Sequence, residues 1–138
     1  MSKVFQIGIT TSAKDKMRKV NSVKVLVDTG LTNDRKNDIT LIESEKIDEY
    51  NKVSGTLIPY INFRRNIITK NISLNELLHR EFYIGNVKVK TLELCQPCKR
   101  LQDELKQNFF VKKMANKSGL RCTILNDGEI FVDDKITI

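Results

Sequence analysis

Apolar residues in this chain alternate with polar ones more often than they recur at helical spacing. Val4 to Thr11 alternates, with Phe5, Ile7 and Ile9 on one face of a predicted strand. Ser22 to Asp28 repeats the pattern with Val23, Val25 and Val27 inward, and ends at Thr29-Gly30. Asp38 to Glu43 reads as a third, shorter strand. The polar stretches between them, Ser12 to Asn21 and Leu31 to Asn37, read as loops.

The period then changes. Ile47, Tyr50 and Val53 share one side of a helix predicted from about Glu45 to Val53, with Ser54-Gly55 ending it. Pro59 interrupts Leu57 to Ile61 and limits any strand there to an edge or a bulge. Ser73 and Glu76 have capping-box spacing ahead of a short helix carrying Leu74, Leu77 and Leu78. Glu81 to Ile84 and Val87 to Leu94 flank Gly85-Asn86, a hairpin turn. Val87 and Val89 share a face while Leu92 and Leu94 fall on the other, a phase change that a bulge reconciles. Leu120 to Leu125 and Glu129 to Val132 flank Asn126-Asp127-Gly128, the strongest hairpin signal in the chain, and Ile136 to Ile138 follows. Many short strands, frequent turns and three short helices predict a mainly β fold, and closure into a barrel removes the edges such strands expose. The repeating parallel βαβ alternation of a Rossmann fold is absent.

Composition narrows the partners. At 138 residues the chain is expected to form one domain over 1–138. It has no apolar run of membrane-spanning length and no signal-peptide core, so no membrane partner is expected. An odd count of three cysteines without an export signal predicts reduced thiols in the cytoplasm. The net charge of +7 points to acidic partners such as phosphate-bearing cofactors or oxyanions. The basic residues are scattered and no aromatics interleave with them, so nucleic acid is not expected.

Candidate chemistry concentrates at Leu94-Cys95-Gln96-Pro97-Cys98-Lys99-Arg100-Leu101, between a strand and a helix predicted over Pro97 to Phe109. Proline suits the first helical position, which places Cys98 in the first turn, where unpaired N–H groups favour an anion. Such a thiol ionises more readily than an ordinary one, and the thiolate attacks electrophiles or binds soft metals. Equally, Cys98 shares an apolar face with Leu101, Leu105 and Phe109, where a cysteine is inert packing. Cys95-x-x-Cys98 has metal or redox spacing, but structural zinc takes four ligands and only Cys122 and His79 remain. The sole histidine supports no catalytic triad. Arg64-Arg65-Asn66, if extended, sends its arginines to opposite faces, so at most one lines a given cavity and suits an oxyanion, carboxylate or phosphate; otherwise one is solvated and the other in a surface ion pair. Asn33-Asp34 and Asp133-Asp134 sit beside strands as residues tolerant of left-handed backbone, or as paired carboxylates.

In order along the chain, these pieces resemble the MOSC domain, found at the C-terminus of molybdenum-cofactor sulfurases and as small standalone bacterial proteins. Gly30-Leu31-Thr32-Asn33-Asp34-Arg35 with Ile39-Thr40-Leu41-Ile42 resembles the family's G-x-x-G-D-R loop and following strand. Arg65-Asn66-Ile67 through Leu77 resembles its R-x-N segment, and Ile84-Gly85 its "iG". Pro97-Cys98-x-x-Leu101 resembles the cysteine motif, and Gly119-Leu120-Arg121 with Leu125, Gly128 and Asp134 the C-terminal motif. Asn33 and Asp133 stand where the family has glycine, so one or both are expected at positive φ. The resemblance implies a closed β-barrel like the pyruvate kinase barrel domain, with a few short peripheral helices. It implies that Cys98 carries sulfur or ligates molybdenum, with Arg35, Arg65, Asn66 and Arg121 as donors to a molybdenum cofactor. Sulfur-transfer proteins such as a cysteine desulfurase are the implied partners. Pyridoxal phosphate, a family-level association, belongs to the desulfurase domain often fused to this one and is not expected for this chain alone. A reductase of N-hydroxylated compounds, or an interaction module without catalysis, are the alternatives.

Overall fold

The computed structural model describes residues 1–12, 14–31 and 38–138. The first half of the chain runs β1 (Lys3–Ile9), β2 (Arg18–Val20), β3 (Ser22–Leu26), β4 (Gly30–Leu31), β5 (Ile39–Glu43), α1 (Ser44–Ser54) and β6 (Ile67–Lys70). The second runs β7 (Glu81–Ile84), β8 (Val87–Leu94), α2 (Lys99–Glu104), α3 (Phe110–Lys113), β9 (Leu120–Ile124), β10 (Gly128–Phe131) and β11 (Ile136–Thr137). Two 3₁₀ turns, Tyr60–Phe63 and Leu74–Leu77, complete the described elements. The fold is mainly β, as the alternating pattern predicts.

Eight strands form one curled sheet in the order β11-β7-β8-β9-β5-β6-β1-β2, and three form another, β10-β3-β4. The concave side holds an apolar cluster fed by both sheets, including Val4, Ile7, Val25, Leu41, Ile67, Val89 and Leu120. β5 lies centrally, parallel to β6 and antiparallel to β9, so Ile39 to Ile42 are buried on both faces. A second cluster, around Ile42, Ile47, Tyr50, Phe63, Leu101 and Phe110, packs α1, α2 and α3 on the outer side. Burying Ile47 and Tyr50 contributes about 1.5–3 kcal/mol each and fixes α1 in place.

The expected closed barrel is not observed. Backbone bonds from Val4 N to Asp134 O and from Asp133 N to Val4 O draw the start of β1 toward the approach to β11. Ile136 N donates to Ser2 O beside them, but among the described residues these bonds make only an isolated bridge, Lys3 to Lys135, and no regular ladder closes the curl. The reason lies partly in the predicted C-terminal hairpin, which does not form. β9 pairs with β5 and β8, whereas β10 pairs with β3. Asn126 accepts from Lys88 N and donates to Asn86 O, and Asp127 accepts from Val27 N. The turn side chains thus bond to neighbouring strands and send the chain from one sheet to the other.

Other local expectations shift for similar reasons. The loop predicted over Ser12 to Asn21 contains β2 and buries Met17. The region of Pro59 forms a 3₁₀ turn rather than an edge strand, and Ser73 makes no side-chain cap. Leu74 N donates instead to the Glu43 carboxylate. In β1 a register shift between Val4 and Gln6 turns Phe5 outward onto Tyr60, so that Val4, not Phe5, joins Ile7 in the core. The bulge predicted in β8 is present between Thr91 and Glu93. It exposes Leu92 and returns Leu94 to the inner cluster. Asp133 has φ 74, as expected of a residue standing in for glycine; Asn33 lies outside the described residues.

Candidate functional site

The loop between β8 and α2 carries Cys95 and Cys98, and its geometry differs from the sequence-based expectation. The helix predicted over Pro97 to Phe109 is two short helices, α2 and α3. Lys106 and Phe109 take positive φ, so Phe110 rather than Phe109 enters the outer cluster, beside Tyr50 and Phe63. Cys98 is therefore not on a continuous apolar face. It is the exposed N-cap of α2, at φ −112 and ψ 153, because the helix starts two residues later than expected, and Pro97 precedes the cap. Its Sγ accepts a hydrogen bond from Leu101 N at 3.4 Å, the part a serine plays at such a position.

The remainder of the loop is tied down on three sides. Cys95 N donates to Gly119 O at 2.8 Å. The Gln96 amide pairs twice with Asn116: Nε2 donates to Asn116 Oδ1 at 2.8 Å, and Asn116 N donates to Gln96 Oε1 at 3.0 Å. Arg65 donates through Nε to Ser118 O at 2.9 Å and through Nη2 to Gln96 O at 3.4 Å. These bonds do not exhaust its N–H donors. Sequence reasoning passed over Gln96, Asn116 and Ser118. The signal in the sequence was Asn116 and Gly119, residue types that tolerate left-handed backbone, and both adopt it here (φ 61 and φ 94).

The other sequence candidates occupy different settings. Arg64 is not extended but left-handed at φ 65 and donates to Asp15 O and Ser12 O, away from the route Arg65 takes. Asn66 is buried: Oδ1 accepts from Thr40 N and Oγ1, while Nδ2 donates to Gly8 O, which ties together β1, β5 and β6. Arg121 bridges Asp38 and Glu93, and these two carboxylates hold its guanidinium more firmly protonated than usual. Because Glu93 is two residues before Cys95, this bridge also braces the strand that delivers the cysteine loop. Arg35 lies outside the described residues.

The three cysteines separate by environment. None is in a disulfide; Cys98 is exposed, Cys95 half-buried and Cys122 fully buried. Burial pushes the Cys122 thiol up to about 12, against a weaker lowering by the Thr91 hydroxyl. No group of three or more His, Cys, Asp or Glu side chains able to hold a metal ion occurs among the described residues. No helix among the described residues is long and apolar enough to cross a membrane.

Comparison with known proteins adds three findings. The MOSC domain family model matches residues 28–137. Comparison with curated proteins gives no match. Among solved structures, YiiM from Geobacillus stearothermophilus superposes with a TM-score of 0.82 at 16% identity, covering 99% of this chain and 74% of that one. The YuaD protein from Bacillus subtilis gives 0.82 at 14% identity over 99% and 94%. YiiM from Escherichia coli gives 0.76 at 16% identity over 99% and 69%.

Proposed function

This chain belongs to the MOSC domain family, and from that premise we propose that it is a small MOSC protein that binds or carries a sulfur or molybdenum-cofactor group at Cys98. The observation that supports this reading is the accessibility of one thiol in a braced loop. Cys98 is exposed on a segment anchored by Gly119, Asn116 and Arg65, while Cys122 is sealed in the core.

Cys98 would hold the group through its thiolate, and Arg65 would supply N–H donors to an attached phosphate or oxyanion. Bound molybdenum cofactor would supply two-electron redox chemistry. As a sulfur carrier, Cys98 Sγ attacks the sulfane sulfur of a donor persulfide. A new S–S bond forms as the donor's breaks, and the donor's thiol leaves with its electron pair and takes up a proton. A cysteine desulfurase in the cytoplasm is the class of partner that makes such a donor. Asn66 and Arg121, bonded within the protein, would shape the site rather than contact the group.

Elemental analysis of protein purified without air from a molybdenum-replete host tests the cofactor form of this reading. Molybdenum that is present in the wild type and lost in Cys98→Ser supports it; equal content in both excludes Cys98 as the ligand. Sustained reduction of an N-hydroxylated compound with an added electron donor would mark an enzyme rather than a carrier.

A further inference from the structure

We propose that the groove between α1 and α3 binds a small carboxylic acid with an apolar body, at a site separate from Cys98. The groove encloses about 200 Å³. That is below the usual size of a cofactor or drug-sized site but ample for a single ring or a medium-length chain. Its floor is Tyr50 and Met114, which are only 4% and 1% exposed. The walls are set before any ligand arrives. The Tyr50 ring is held edge-on by Phe63 and Phe110, and its hydroxyl donates to Gln107 at 2.9 Å. Val53, by contrast, is 69% exposed, an apolar wall facing water.

Charge selects the occupant. Lys46, Lys113 and Lys117 line the groove against one carboxylate, Glu49, which pairs with Lys117 at 3.4 Å. Lys113 Nζ sits 5.8 Å from the Tyr50 ring centroid, where the apolar wall meets the charged rim. An inorganic anion gains little from an apolar wall, and a cation meets excess positive charge. A ligand with an apolar body and one carboxylate satisfies both parts of the groove.

Methyl NMR with labelled methionine tests this, because the chain has three methionines and Met114 alone lines the groove. Met17, whose Cε lies against Gly8, serves as the internal control. Octanoate should shift the Met114 methyl saturably and leave Met17 unmoved, with octanol weaker and octylammonium weakest. Lys113→Glu, an exposed substitution, should weaken octanoate roughly tenfold and leave octanol unchanged. The proposal is overturned if Met114 does not respond or Met17 moves in step with it. Equal affinity for the three probes, or octanoate binding indifferent to Lys113→Glu, overturns it as well.

Discussion

Gly119→Ala places the account under direct strain. Gly119 has φ +94, and a Cβ built there falls inside the carbonyl oxygen of Leu41. A left-handed backbone costs a residue with a Cβ about 1–2 kcal/mol. The collision adds to this, because Leu41 is locked in the β5–β9 ladder opposite Leu120 and cannot turn aside. Relief by backbone movement sacrifices the Cys95 N–Gly119 O and Arg65–Ser118 O bonds, worth about 1 kcal/mol each. The expected loss is about 3–4 kcal/mol, a large fraction of the stability of a domain this size. In urea this lowers the unfolding midpoint by about 2 M at unchanged slope. Gly55→Ala is the control: φ is +67, but open space surrounds the added Cβ, so only the conformational cost of about 1 kcal/mol remains. If the two variants lose equal stability, the claimed contact between Gly119 and β5 is wrong. In Gly119→Ala the alkylation rate of Cys98 should also change, since the cysteine loop loses an anchor.

Three further outcomes follow from single environments. Arg121 should couple more strongly to Asp38 than to Glu93 in double-mutant cycles read by urea unfolding, because Asp38 is 28% and Glu93 61% exposed. Burial raises the Glu43 carboxyl above its ordinary value of 4.5, against the opposing Leu74 N–H. Its charged form therefore costs stability as pH rises above about 4.5. Glu43→Gln should be more stable than wild type at pH 7, with the gap closing on acidification. The Cys122 thiol, raised to about 12, favours the folded state fully below its ordinary value of 9 and progressively less as pH climbs from 9 toward 12. Alkaline unfolding of Cys122→Ala should lack this component.

How much of this was legible in sequence depends on whether a feature is local. Alternation located β1, β3, β5, β7 and β8, and the phase slip from Val89 to Leu94 correctly announced a bulge. Gly55 ended α1 where a helix-stop glycine should. Pairing was not legible. Asn126-Asp127-Gly128 has hairpin chemistry, but its side chains find better partners on β8 and beside β3, and that choice depends on residues far away in sequence. The same holds for Cys98. Leu101, Leu105 and Phe109 keep helical spacing, but Phe110 wins the place between Tyr50 and Phe63, breaks the helix and leaves Cys98 on the surface. The motif residues Arg65 and Asn66 were found by order along the chain. Their contrasting settings, one on the cysteine loop and one in the sheet, emerge only in three dimensions.

The central claim is that Cys98 is the thiol that carries chemistry, and peptide mass mapping tests it most directly. Native protein is treated with a persulfide donor or with iodoacetamide, and the cysteine peptides are compared. The account predicts that the Cys98 peptide gains one sulfur atom from the donor and alkylates well ahead of Cys122, which reacts only after denaturation. A Cys98 that takes up no sulfur and resists alkylation until denaturant is added, with Cys122 no slower, would contradict it.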